Sequence, residues 1–201
     1  MARYTGPKHK LARREGINIL GKTSASLDRR ISILPGAMPG KRARKSSEYG
    51  LQLREKQKLK RIYGLLEKQF KGYVEQAQSK KMNTEEALVG ILESRLDNLV
   101  YRMGFAHSRN HARQLVSHRH VLVDGSKNNI PSYLVKVGQE ITLSKKMMEE
   151  VHIKESLENE ESPLLPFVSQ KKGVGRYLSM PKMEDIANPI DYQLVIEFYS
   201  R

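Results

Sequence analysis

The spacing of apolar residues changes along this chain of 201 residues, and the change constrains its fold more than any other feature. Between Leu59 and Val116 the apolar side chains recur every three or four residues, which is the period of an amphipathic helix. From Val121 they alternate as in a half-buried strand, and Asp124-Gly125 supplies a turn signal. The sequence therefore predicts an α+β protein, with a mostly helical domain and a small helix-turn-helix and antiparallel-sheet module.

Local signals place the helices. Asn83 followed by Glu86 resembles a capping box before one helix, and Ser108 is a suitable N-cap for another. The apolar stripe continues past Glu93, and its period leaves open whether the chain forms one helix there or two. Asn188 followed by Pro189 is typical of a helix start, so we predict a C-terminal helix although this segment also has strand propensity.

The later part of the chain carries weaker signals. Alternation predicts strands at 133–137 and 141–143, and a hairpin that pairs 166–169 with 176–180. Residues 145–158 have a weak helical period. The predicted helix, turn, helix and strands together form the module.

Composition divides the chain into three regions. Residues 1–47 form a basic, Gly- and Pro-rich arm in which we expect short helices that fold against a partner. Residues 48–93 form a helical domain that the tail 188–201 completes. Residues 94–187 form the small module with an appended helix and hairpin.

Positive charge is concentrated in two places. The formal net charge is +14, and residues 1–73 carry all of it, with 19 Lys and Arg against 5 Asp and Glu. Residues 94–138 add seven basic residues and four histidines against two acidic residues. An unbalanced charge of this size indicates a polyanionic partner, and nucleic acid is the commonest one.

Arginine spacing indicates how the module would contact phosphates. Arg109 and Arg113 lie one helical turn apart, and Arg95 and Arg102 share a face of the preceding predicted helix. A guanidinium can bind a phosphate with two parallel hydrogen bonds, so a row of arginines on a helix face is suited to contact RNA or DNA. The alternative is that such a row of arginines is only a solvated helix face. The predicted RNA-binding residues are Arg3, Lys8, Lys10, Arg13, Arg14, Arg42, Arg44, Lys45, Arg54, Lys58, Arg61, Arg95, Arg102, Arg109, His111, Arg113, His118, Arg119 and Lys127.

The sequence offers little for catalysis or metal binding. His107 and His111 are four residues apart, but no third ligand follows at a familiar spacing, so we favour polyanion contact over a metal site. There is no cysteine, and phosphate-loop, serine-hydrolase and zinc-protease motifs are missing. We therefore expect no enzyme activity, no cofactor and no metal. A basic start without an apolar stretch also predicts a cytoplasmic protein.

Several segments resemble the bacterial small-subunit ribosomal protein S4 family. They are ARYTGPKHKLARREG near the start, Ser47 to Phe70, Arg95 to Gly125, Ile130 to Tyr133, and Glu197 to Ser200. The resemblance extends over essentially the whole chain and is weakest between residues 155 and 187. It implies that residues 94–143 are the small RNA-binding module named after this family, and that the C-terminal tail packs back on the helical domain.

The resemblance also implies partners. They are the 5′ domain of 16S ribosomal RNA, bound directly and early in assembly, two neighbouring small-subunit proteins, and mRNA at the entrance of its channel. The arm at Arg42, Arg44 and Lys45 corresponds to the part that faces mRNA, where the family influences decoding accuracy. Many relatives bind zinc through cysteines near the N-terminus, which residues 8–32 lack here. A bacterial or an organellar ribosome fits equally well.

Two other classes stay open as alternatives. RNA-modifying enzymes such as pseudouridine synthases carry the same small module, but they need a catalytic domain with a carboxylate motif that this chain does not offer. A general nucleic-acid chaperone or DNA-binding protein would explain the charge without site specificity.

Overall fold

The computed structural model describes residues 4–21, 24–36, 46–150, 153, 164–171, 173–186 and 189–200. The chain forms two compact units, Met1–Gln76 with Asn188–Arg201, and Ala77–Ala187. The predicted boundary after residue 93 lies further along the chain than this division, because the helix that ends there packs within the second unit. None of the described helices is long and apolar enough to cross a membrane.

The described helices are α1 (Lys8–Glu15), α2 (Ala25–Asp28), α3 (Glu48–Ile62), α4 (Glu67–Gln78), α5 (Thr84–Glu93), α6 (Leu96–Arg102), α7 (Arg109–Ser117), α8 (Lys145–Met148) and α9 (Tyr192–Tyr199). The described strands are β1 (Val121–Val123), β2 (Ser126–Lys127), β3 (Glu140–Leu143), β4 (Val168–Lys171) and β5 (Val174–Tyr177). A 3-10 turn covers Met183–Asp185.

The first unit is built on the packing of α3 against α9. Leu59 of α3 and Val195 of α9 are fully buried, as is Phe70 of α4. The predicted C-terminal helix is confirmed, but its cap is Asp191, whose carboxylate accepts a 3.2 Å hydrogen bond from the Leu194 N–H. The predicted cap, Asn188, lies outside the described residues. Helix forms there because its spacing buries one face, which outweighs the local strand propensity.

The N-terminal arm contains short helices, as predicted. α1 ends at Glu15 and is capped by Gly16, whose positive φ of 69° is a backbone conformation that favours glycine. The Arg13 guanidinium donates a 2.9 Å hydrogen bond from Nε to the carbonyl oxygen of Ile33. This contact links α1 to the loop that follows α2.

In the second unit, the continuous apolar stripe turns out to span two helices. α5 ends at Glu93 and α6 begins at Leu96. Asn83 caps α5 by accepting from the N–H of Glu85 at 3.0 Å, one residue earlier than the predicted capping box requires. Ser108 caps α7 as predicted, accepting a 3.3 Å bond from the His111 N–H.

The strands of the second unit form an antiparallel sheet that has, among the described residues, the order β2-β1-β3-β5-β4. Val123 pairs with Ile141, which in turn pairs with Gly175. The predicted hairpin is confirmed as β4 and β5. A side chain at Gly175 would collide with Met103 and come within 3.0 Å of Phe105, so the sheet approaches the helices closely here.

The predicted strand at 133–137 is wrong. This segment makes a single isolated bridge, between Leu134 and Arg95. Its other role is to form backbone hydrogen bonds with residues at the start of α6. The Leu96 N–H donates to the Tyr133 carbonyl at 2.8 Å, and the Val135 N–H donates to the Ser94 carbonyl at 2.9 Å. The first N–H groups of a helix lack partners within it, and the extended segment supplies them. Of the helix predicted at 145–158, the structure describes α8, and most later residues lie outside the described range.

Candidate nucleic-acid interface

The basic face of the second unit is formed by α6 and α7, which pack against each other. Ala112, Leu115 and Val116 of α7 are buried, as predicted, and they fix which side of the helix faces outwards. Arg109 and Arg113 are partly exposed at the edge of this buried face, where their side chains reach Asn98 and Asp97 of α6. Arg102, at the end of α6, is partly exposed as well.

Arg102 is held by a buried acid. The Glu93 side chain has no exposed surface, and it accepts from Arg102 Nε at 2.9 Å and Nη2 at 2.7 Å. The same carboxylate accepts a 2.6 Å bond from the Asn98 amide. Bidentate pairing of this kind fixes both the position and the plane of a guanidinium.

Arg109 is held from two sides. Its Nε donates to Asn98 Oδ1 at 2.8 Å, so Asn98 connects Arg109 with the Glu93–Arg102 pair. Its guanidinium also lies over the Tyr101 ring, 4.7 Å from the centroid, in a cation–π contact. The two predicted contact residues Arg102 and Arg109 thus belong to one hydrogen-bonded network.

Arg95 is part of the interior, which corrects its predicted place on the contact surface. It has no exposed surface, and it donates to Asp97 from Nε at 3.0 Å and from Nη2 at 2.6 Å. Arg113 reaches the same carboxylate with its Nη1 at 3.7 Å. Burial raises the pKa of Asp97, and the Arg95 and Arg113 guanidiniums oppose that rise. Arg95 therefore supports Arg113 through Asp97 and does not reach the surface itself.

The histidines form two ring pairs. The rings of His107 and His111 are stacked with centroids 6.2 Å apart, and those of His118 and His120 lie 6.1 Å apart. In the part of the chain that the structure describes, no three His, Asp or Glu side chains are arranged to hold a metal ion. The predicted contacts Arg119 and Lys127 are both exposed, Arg119 with a φ of 63°.

The predicted arginine and lysine row on α3 is also engaged in ion pairs. Arg54 and Arg61 both contact Glu15 of α1, Arg54 at 3.5 Å, and the Glu15 side chain is only 1% exposed. Burial raises the pKa of Glu15, while Arg61, Arg54 and Lys58 lower it. Lys58 also forms an ion pair with Glu55. The first unit therefore carries a second basic face around a buried acid.

The remaining predicted contacts divide into three groups. Arg14 and Lys10 of α1 are exposed, and Lys8 is partly buried. Arg13 binds the carbonyl oxygens of the loop after α2. Arg3, Arg42, Arg44 and Lys45 lie outside the described residues.

Glu93, Asn98 and Tyr101 were not singled out from the sequence. The acid stands at the end of the apolar stripe of α5, and the amide lies off the stripe of α6, which Leu96, Leu99 and Val100 form. Charged and amide side chains are rarely buried without partners. Helical periodicity places Asn98 on the face away from the apolar stripe, so it carries no signal of the burial that the structure shows.

Comparisons with known proteins identify the class of protein. The family model for the ribosomal protein S4/S9 N-terminal domain matches residues 3–93, and the model for the S4 domain matches residues 94–141. The chain is therefore a ribosomal protein by class, a structural and non-enzymatic one.

Similarity to individual proteins extends over the full chain. Proteins called small ribosomal subunit protein uS4 are 48% identical in Thermotoga petrophila and 46% identical in Polaromonas naphthalenivorans, with all of both chains covered. The corresponding protein of Xanthomonas campestris pv. campestris is 47% identical with the same coverage. The chain belongs to the ribosomal protein S4 family, which confirms the family, the α+β class and the absence of an enzyme function predicted from sequence.

Proposed function

We propose that this protein is a structural constituent of the small ribosomal subunit that binds 16S ribosomal RNA directly and nucleates assembly of the 5′ domain. The observation that carries this proposal is the cluster of Arg102, Arg109 and Arg113, three partly exposed guanidiniums anchored to Glu93, Asn98 and Asp97. A side chain that is already ordered loses little entropy when it binds, so this cluster is suited to a structured phosphate backbone.

A second basic face supports a scaffold role. Arg54 and Arg61 of α3 lie around Glu15, and exposed Lys10 and Arg14 extend the positive charge of the same unit. A chain with two basic faces can bind two RNA segments at once, which an assembly protein has to do. Lysine and arginine side chains of both faces would displace counterions that are condensed on the RNA backbone.

Further partners follow from family membership. The neighbouring small-subunit proteins and mRNA at the entrance of its channel are proposed as contacts, with the arm at Arg42, Arg44 and Lys45 facing mRNA. Through this position the protein would influence translational accuracy, on a cytoplasmic ribosome.

The test is binding of the purified protein to the 5′ domain of 16S RNA across a salt series. The control is an RNA of equal length whose helix junction has been scrambled. We expect tight, junction-dependent binding whose affinity falls by ~10³–10⁵ between 50 and 200 mM salt, as it does when ~6–10 phosphates are contacted. Equal binding to both RNAs would favour a general nucleic-acid chaperone, and a shallow salt dependence would contradict the use of two basic faces.

A further inference from the structure

We infer that Glu93, Asn98 and Tyr101 form a positioning framework for Arg102 and Arg109, so that a buried acid strengthens the binding of a polyanion. The inference rests on the proposed binding of ribosomal RNA and specifies which residues prepare the contact face. These three are positioning residues: Glu93 acts through the arginines, and its carboxylate is enclosed within the protein.

The framework is a continuous chain of polar contacts. Glu93 accepts from Arg102 at 2.7 and 2.9 Å and from Asn98 at 2.6 Å, and Asn98 accepts from Arg109 at 2.8 Å. Tyr101 supports the flat side of the Arg109 guanidinium at 4.7 Å. Both guanidiniums are therefore fixed in position and in plane before any RNA is bound.

Two effects of Glu93 on RNA affinity have opposite signs. Its negative charge repels phosphates, but Arg102 compensates that charge in direct contact, so little of it extends to the surface. Its hydrogen bonds order two long side chains, and without them each arginine would lose rotamer freedom on binding RNA. The ordering effect dominates because Glu93 orders two guanidiniums, Arg102 directly and Arg109 through Asn98, while its single charge is compensated by Arg102.

The first experiment replaces Glu93 by its neutral isostere. Glu93→Gln should bind the 5′ domain of 16S RNA about tenfold more weakly than the unchanged protein, although it is more positively charged. The matched control is Glu140→Gln, which removes one negative charge from an exposed ion pair with Arg176 in the same unit. The control should bind with equal or slightly higher affinity.

A double-mutant cycle separates positioning from general structural damage. In a protein that already carries Arg102→Gln and Arg109→Gln, the further change Glu93→Gln should leave RNA affinity unchanged, because there is nothing left to position. It should raise the thermal stability of that background, because Glu93 is buried there without its Arg102 partner. A full tenfold loss in that background would overturn the inference.

A second variant keeps the inference testable if Glu93→Gln does not fold. Tyr101→Leu changes no charge and alters a partly exposed side chain, so the core is preserved. It should weaken RNA binding about threefold, and this loss should disappear when Arg109 is already Gln. Additive losses would show that Tyr101 acts independently of Arg109 and would overturn the inference.

Failure of the inference differs from failure of the proposed function. If the unchanged protein does not distinguish the 5′ domain from the scrambled RNA, the proposed function is wrong. If it does, and Glu93→Gln binds as tightly as Glu140→Gln, only the positioning framework is wrong.

Discussion

Tyr199 donates a 2.6 Å hydrogen bond from its hydroxyl group to Glu67, which joins the last helix of the chain to α4. Lys56 and Lys60 of α3 contact the same carboxylate at 2.8 and 2.9 Å. Partial burial alone would raise the pKa of Glu67, but the hydrogen bonds from Lys56, Tyr199 and Lys60 lower it to about 2. One carboxylate thus connects three helices of the first unit.

The first prediction concerns acid stability. The pKa of Glu67 is lower in the folded protein than its ordinary value of 4.5, so its stabilising contribution is present above about pH 4.5 and is lost as the pH falls towards 2. Glu67→Gln should therefore be less stable than the unchanged protein at pH 7, and the difference should shrink below pH 4.5. Urea unfolding between pH 7 and pH 2.5 measures this, and a difference independent of pH would contradict it.

The second prediction concerns the interior pair of Arg95 and Asp97. Asp97→Ala should destabilise the protein by about 3–5 kcal/mol, because it leaves the fully buried Arg95 without its bidentate partner. Replacing both, with Arg95→Met and Asp97→Leu, should restore much of this loss, since the fully buried guanidinium of Arg95 is removed together with its partner. Denaturant unfolding of both proteins provides the comparison, and a loss below about 1 kcal/mol for Asp97→Ala would show that the pair is unimportant.

The third prediction compares two glycines. Gly175→Ala should destabilise by about 1–3 kcal/mol, because the new methyl group would collide with Met103. Gly72, inside α4, has nothing within 4 Å of the position of an added methyl group, so Gly72→Ala should stabilise by up to about 1 kcal/mol. Thermal unfolding of the two proteins should give changes of opposite sign, and equal signs would refute the close approach inferred at Gly175.

The fourth prediction concerns salt dependence. Arg109→Gln and Arg113→Gln should each reduce the slope of log affinity against log salt concentration by about 1, as expected when one phosphate contact is lost. Arg176→Gln, which removes a guanidinium that pairs with Glu140 on the sheet, should leave the slope unchanged. Titrations with the 5′ domain RNA at four salt concentrations distinguish these outcomes.

Sequence periodicity predicted the helices and strands that bury one face along their own length. The helical stripe that includes Ala112 and Leu115, and the alternation at Val121 and Val123, both follow directly from one buried face. The prediction of a strand at 133–137 was wrong because apolar alternation indicates only which side chains are buried. It does not indicate which backbone groups the segment pairs with. Its partners are the first N–H groups of α6, more than thirty residues earlier in the chain.

The sequence predicted that arginines of the module form the candidate interface, but it did not predict which of those arginines are exposed. Arginine spacing predicted Arg109, Arg113 and Arg95 on one surface, but Arg95 is fully buried. Arg95 is the N-cap residue of α6, where the chain has not yet taken a helical conformation, so helical spacing does not describe the direction of its side chain. Its bidentate bond to Asp97, two residues later, depends on that non-helical backbone.

The segment around Tyr133, which supplies hydrogen-bond acceptors for the start of α6, limits how short a fragment that carries the interface can be. The carbonyl groups of Pro131 and Tyr133 accept the N–H groups of Asp97 and Leu96, so the helix start is completed by residues that follow β1 and β2. A synthetic peptide containing only α6 and α7 would have the guanidiniums but not the backbone that sets their geometry. The smallest fragment able to present this arginine cluster in its observed form therefore has to extend at least to Tyr133, well beyond the helices that carry it.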